Sequence, residues 1–330
     1  MAESERRAFA RLVALLFLVG LTASRVGVVV HELGGHYAVA RAFGCSLTAL
    51  RLFLFGGGYV DYECGPLGPA ERLATDLGGI AVQALAGALV ALAARRVRDP
   101  FPRLLTASMA ALFVLHALYY LVTGVHYGVG DGRALHLLAG RSRGAWVAAG
   151  TAALVGLCFA LVRRLAATLA PWLPGRGPLR RAGLAAAAMV LAGALHGAGF
   201  VVEQRLVAEA EYAATFRPQP EIVAEHELRR FEAERPRSPD EIRARRDALA
   251  RAHAIFPLRP ALAIALPLAA FAGLFAALRG EAPSARAAPS RRTLLRAALV
   301  CGVAQAIVFA LDRAFGAIRC HARGAPSNFL

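Results

Sequence analysis

Residues 28–45 read VVVHELGGHYAVARAFGC, and the fold turns on why two histidines, a glutamate and a glycine pair close an unbroken apolar run. Ahead of them, apolar residues continue back to about position 8, so the polar group ends a segment long enough to cross a bilayer. A span needs about 20 largely apolar residues. Outward from this first run (8–43), further windows of that kind fall at 73–94, 104–123, 144–162, 183–202, 257–278 and 294–312. The expectation is an all-α polytopic membrane protein with about seven transmembrane helices. Arg6 and Arg7 before the first run mimic a signal peptide. No small-residue cleavage site follows, and the apolar pattern runs straight into HELGGH, so the first helix reads as retained.

Composition agrees with a membrane solvent. Of the 330 residues 57% are hydrophobic and mean hydropathy is +0.50. The net charge of +16 comes entirely from arginine, because the chain contains no lysine. Those arginines sit in short clusters between apolar runs instead of forming one basic stripe, which argues against a nucleic-acid surface and for helix ends near lipid headgroups. Five cysteines, at 45, 64, 158, 301 and 320, form no close pair and are odd in number, so neither a disulfide framework nor a thiolate metal site is indicated. Cys45 and Cys64 flank one short segment and could meet.

The connections carry their own signals. SLTALRLFLFGGGYVDYECG (46–65) alternates apolar residues around Gly56-Gly57-Gly58 and predicts a small β-hairpin after the first helix. Four glycines between Gly124 and Gly132 predict a break in an otherwise helical pattern. The long polar stretch 203–256, punctuated by Pro218, Pro220, Pro236 and Pro239, reads as charged helices outside the bilayer. The expected organisation is a membrane-embedded core at 1–140, additional transmembrane helices at 141–202, the polar segment at 203–256, and C-terminal helices with a tail at 257–330.

In a bilayer, ionisable side chains are costly and face a cavity or one another, so a His-Glu-His group there points to function. His31 and His36 are five residues apart, which places them roughly 140° apart around a regular helix, against about 40° for a separation of four. A π-turn, with hydrogen bonds from i to i+5, would absorb the extra residue and return both imidazoles to one face. Gly34-Gly35 marks the place for it, since two glycines cost a helix roughly 2 kcal/mol against alanine. Neutral imidazoles suit Zn²⁺, and Glu32 beside them has the chemistry to take a proton from a metal-bound water and pass it on. A catalytic zinc wants a third protein ligand and one open position. The bland alternative is a pair of buried histidines satisfied by hydrogen bonds.

HELGGHYAVARAFG resembles the signature helix of the site-2 protease family, intramembrane zinc metalloproteases whose motif is His-Glu-x-x-His. GVGDGRALHLL resembles that family's Asp-Gly segment, and LGGIAVQ its Gly-Pro-x-x-Asn segment. The likeness covers residues 8–140 in order and spacing. It implies Asp131 as third zinc ligand beside His31 and His36, Glu32 and Gln83 as catalytic residues, and a hairpin lying near an extended substrate. Here the first motif carries one extra residue, Ile80 and Gln83 replace the family's Pro and Asn, and no Asn-x-x-Pro precedes Asp131. The expected function is intramembrane zinc-dependent endopeptidase action on a transmembrane segment of a membrane-protein substrate, in the lipid bilayer of a bacterial cytoplasmic membrane. The alternative is a catalytically inactive relative acting as a membrane binding or regulatory protein. A transporter would show two similar halves, and none are visible.

Other candidates read as structural. Asp61, Glu63 and Glu71 are expected in solvent and Asp76 at a helix start. His116, His126, His136 and His196 are expected to pack or hydrogen-bond, with His126 the best spare ligand. Orientation is contested: the family places the metal toward the cytosol, whereas the arginine clusters at 95–103, 163–181 and 279–296 would then lie outside, against the positive-inside rule.

Overall fold

The computed structural model describes residues 3–128, 130–173, 177–206, 228, 232, 236–254, 257–279 and 288–316. The longest apolar run becomes α1 (Glu3–Ala42). Then come β1 (Ser46–Leu52), β2 (Gly58–Glu63), α2 (Pro69–Ala94), α3 (Pro100–Tyr127), a short α4 (Arg133–Ala139), α5 (Arg143–Leu169) and α6 (Pro178–Leu206). A polar α7 (Pro239–Ala254), α8 (Leu258–Leu278) and α9 (Arg291–Gly316) complete the described chain. Among the described residues, seven helical segments are long and apolar enough to span a bilayer, α4 and α5 counting as one. The protein is thus an all-α integral membrane protein, with one two-stranded antiparallel sheet among the described residues.

Lipid-facing and buried surfaces separate cleanly. Leu85, Leu89 and Leu92 on α2, and Leu299, Val303 and Ile307 on α9, are exposed at helical spacing. Such a stripe is at ease only in hydrocarbon. Between helices, where lipid is as apolar as leucine, close packing does the work, and small residues permit it. Ala182, Ala185, Ala188 and Ala192 form a buried face on α6, which packs against α1. The largest cluster joins α1, α3, α5, α6, α8 and α9 through Leu12, Leu104, Leu165, Ala185, Leu274 and Ala297. A second, around Val125, Tyr127, Val147 and Leu258, ties α3, α5 and α8 at the opposite end.

Helix direction alternates, so the starts of α1, α3, α6 and α9 lie together. Arg180 reaches Glu5 at 3.0 Å and Arg296 reaches Asp99 at 3.5 Å at that end. The hairpin occupies the other end, where Arg51 pairs with Asp312 at 2.7 Å.

The hairpin forms over the predicted residues, with Ser46 opposite Glu63 and Leu52 opposite Gly58. That register puts Cys45 opposite Cys64, and the two are joined in a disulfide. The positions of these two cysteines had allowed the pairing, although the odd count indicated no disulfide framework. The turn at 53–57 projects among the helices, where its backbone groups need protein partners. Arg25, 1% exposed on α1, donates to the carbonyls of Phe53, Phe55 and Gly56. Glu203 near the end of α6 accepts from the N–H of Leu54, Phe55 and Gly56, at 2.5, 2.8 and 3.0 Å. His196 donates to Phe55 O at 2.9 Å and Gln305 to Leu54 O at 3.1 Å.

Two sequence expectations shift. The break predicted from Gly124 starts later: α3 continues through Gly124 and stops at Gly128, whose left-handed φ of 71° ends the helix while its N–H bonds Gly124 O. The expected helices of 203–256 fall largely outside the described residues, as do the tail beyond 316, Cys320 and most of the polar linker at 280–293.

Candidate metal centre

The π-turn spans Val30–Tyr37, the segment that carries both histidines, inside an otherwise α-helical α1. The extra residue is absorbed there, and His31 and His36 converge, with ring centroids 5.0 Å apart. Gly35 explains how α2 comes so near. A Cβ on Gly35 would collide with the Cα of Gly79, so the two backbones touch where the helices cross. Gly34 is different: it is exposed, and a Cβ there would meet Val82 only at an ordinary 3.7 Å. The close approach therefore rests on one glycine of the pair.

From the far side comes Asp131, on the 3₁₀ turn Gly130–Gly132 between α3 and α4. Its Oδ2 lies 3.1 Å from Nε2 of His31 and 3.1 Å from Nε2 of His36. All three ligand atoms fall within 4.8 Å of one another. Tetrahedral coordination at zinc-like bond lengths of about 2.0–2.1 Å separates ligand atoms by roughly 3.3 Å. The two separations from Asp131, each 3.1 Å, are close to that value.

Tautomers decide what the three atoms present. Nδ1 of His36 sits 2.9 Å from the carbonyl of Thr75, which can only accept, so that nitrogen carries the proton. Nδ1 of His31 lies 3.2 Å from Oε1 of Gln83, and the Gln83 amide is oriented by its Nε2, which donates to Gly27 O at 3.4 Å. In their neutral form both imidazoles aim Nε2 lone pairs at a carboxylate oxygen. Oδ2 of Asp131 accordingly has no hydrogen-bond donor, although it is buried. Three lone pairs meeting in a low-dielectric interior repel unless positive charge lies between them. The donor set fits a borderline-soft divalent cation with nitrogen and oxygen ligands.

Glu32, 8% exposed, lies within electrostatic reach of His31, His36 and Asp131, and of Asp61 on β2. Asp61 is half-buried, and burial holds its carboxyl above the usual carboxylate range. It lies at the edge of the site, not in solvent as the sequence suggested. Glu71 caps α2 by accepting from Gly68 N–H at 2.7 Å, whereas Asp76 sits two turns inside that helix.

The structure brings together His31, His36, Asp131, Glu32 and Gln83. Gln83 is 3% exposed and engaged with protein: its Oε1 also receives Nδ1 of His116 at 3.1 Å. His116, not His126, is the further histidine of the site; it stacks on Tyr120 at 5.9 Å, and Tyr120 meets the edge of His31 at 5.8 Å. His126 packs edge-on against Tyr127, and His136 bonds Val125 O at 2.8 Å. Thr75 and Gly79 were missed, yet their signal was present. Thr75, Gly79 and Gln83 recur every fourth residue, forming one stripe on α2 that faces the histidines. His116 and Tyr120 repeat the spacing on α3. Compared with family models, curated proteins and solved structures, the chain matches none.

Proposed function

We propose that this integral membrane protein is an intramembrane zinc-dependent endopeptidase of the site-2 protease type, acting on a transmembrane segment of a membrane-protein substrate in a bacterial cytoplasmic membrane. One observation carries the reading: two Nε2 lone pairs and a buried carboxylate oxygen converge at 3.1 Å on a π-turn that also presents Glu32. His31, His36 and Asp131 would hold the ion, leaving a fourth position open to water or substrate. Zinc, when bound, supplies Lewis acidity and lowers the pKa of its water to about 7.

The remaining work falls to the chain's own groups. Glu32 takes the proton from the attacking water and hands it to the leaving amine. Thr75 O and the Gln83 amide fix the ring planes of His36 and His31, the outer-sphere role that ligating histidines require. The Gln83 amide already serves three protein groups, which supports this positioning role. A scissile carbonyl is reachable only in an extended segment, because a helix consumes its carbonyls internally. The hairpin, whose β2 packs against the π-turn, stands where such a segment would lie.

The test is a pair of measurements on detergent-purified and reconstituted protein. Glu32→Gln is expected to abolish cleavage of a reporter transmembrane segment while retaining about one zinc per chain. Alanine at His31, His36 or Asp131 is expected to lose the metal. Retained cleavage in Glu32→Gln, or a wild-type chain without stoichiometric zinc, refutes the proposal. The second of these outcomes favours a non-catalytic membrane binding protein.

A further inference from the structure

We infer that the metal centre and hairpin face the oxidising, non-cytoplasmic side of the membrane, with the arginine-rich helix ends in the cytoplasm. Two independent features point the same way. The first is covalent. Cys45 and Cys64 form a disulfide at the base of the hairpin, and disulfides form and persist in oxidising compartments while cytosolic thiols are kept reduced. The other two described cysteines, Cys158 and Cys301, are buried within helices and free, so the bridge selects one end of the molecule.

The second feature is the placement of charge. The fold gathers at the opposite end Arg6, Arg7 and Arg11 of α1, the Arg95–Arg103 connection, Arg163 and Arg164 with Arg180, and Arg279 with Arg291, Arg292 and Arg296. Among the described residues the acidic groups at that end are Glu3, Glu5 and Asp99. At the metal end, the connection 43–68 contains Arg51 alone, paired with Asp312, and the connection 128–143 adds Arg133, Arg141 and Arg143, so the arginines of the short connections still favour the opposite end. Arginine in short loops near the ends of spans sets orientation, because such loops stay in the cytoplasm. Every short connection at the disulfide-free end is arginine-rich, and both rules give one answer.

For the proposed peptidase this specifies the substrate class, a consequence that rests on that reading while the orientation does not. Substrates would be membrane segments whose extended, cleavable stretch lies in the non-cytoplasmic half of the bilayer. The hairpin that receives them would be braced by a bond which only that compartment maintains.

Site-directed labelling in intact cells tests the orientation without requiring activity, so its failure is distinct from failure of the zinc and Glu32→Gln measurements. In a chain with Cys158, Cys301 and Cys320 replaced by alanine, Ser142→Cys would mark the metal end and Ser4→Cys the arginine end, both positions being exposed. A membrane-impermeant maleimide is expected to label Ser142→Cys in intact cells, and Ser4→Cys only after permeabilisation. Acid-trapped chains are expected to show Cys45 and Cys64 alkylated only after reduction. The reverse labelling pattern, or free thiols at 45 and 64 in trapped chains, overturns the inference.

Discussion

Gly79→Ala isolates the metal centre from the rest of the fold. A Cβ at position 79 would lie 2.5 Å from Nε2 of His36 and 2.7 Å from Nε2 of His31. Ordinary contact begins near 3.4 Å, so the two nitrogens must retreat by about 0.9 and 0.7 Å. Metal–ligand distances tolerate only about ±0.2 Å. Displacements several times larger remove two ligands from one ion, and an affinity loss of at least ~4 kcal/mol, or roughly 10³-fold, is expected. Stability moves far less. Overpacking costs about 1–3 kcal/mol, against which alanine gains about 1 kcal/mol over glycine in a helix interior. The variant should therefore fold and lack metal. Zinc per chain, measured by mass spectrometry on protein purified in detergent and equilibrated against a chelator of known affinity, should fall from about one to below about 0.1. Retention of stoichiometric zinc at unchanged affinity would show that the imidazoles do not meet over Gly79, and the metal reading would lose its geometry.

The glycine pair in HELGGH separates in the same way. Gly34→Ala should leave zinc content unchanged, and its stability should rise by up to ~1 kcal/mol from helix propensity. Gly35→Ala, which drives a Cβ into the Gly79 backbone, should cost about 1–3 kcal/mol or more and lower zinc content; equal behaviour of the two variants would contradict the crossing. Arg25→Met should destabilise by roughly 3–5 kcal/mol, because it strands the carbonyls of Phe53, Phe55 and Gly56. The readouts are the thermal unfolding midpoint in detergent and proteolysis within 53–57; an unchanged midpoint would mean that water, not protein, satisfies the turn.

Much of this fold was legible because the bilayer makes hydropathy a strong signal. Apolar runs of about 20 residues gave seven spans, and period-two alternation around Gly56-Gly57-Gly58 gave the hairpin over its observed residues. The π-turn was legible for a sharper reason. A five-residue spacing of histidines is useless on a regular helix, so the expectation that both face one site dictated the backbone. Asp131 was another matter. Its place in a glycine-rich break favoured a site and its likeness to the Asp-Gly segment implied a ligand, but its convergence with the histidines depends on the relative depth of three helices. The partners of the hairpin turn escaped for the same cause, since Arg25, Glu203 and Gln305 lie on three helices far apart in sequence. Arg25 and Gln305 each read alone as a polar residue in an apolar run, and Glu203 as the first residue of the polar stretch.

Those isolated polar residues nevertheless share a logic that links hairpin to metal centre. Arg25 precedes His31 by six residues, about 9 Å along α1 at 1.5 Å per residue. One helix therefore both clamps the turn of the hairpin and carries the first two candidate ligands. At the other margin, β2 packs on the π-turn and brings Asp61 within electrostatic reach of Glu32. Strand, π-turn and α2 are thus referenced to one another by contacts that tolerate no added methyl group at Gly35 or Gly79. Chemistry that requires placement within about 0.5 Å is best held by rigid elements braced from several sides, and a flexible loop in the hairpin's place could not supply this. A buried arginine that donates to three backbone carbonyls is a costly way to hold a turn, and the position of that turn relative to His31 is what it secures.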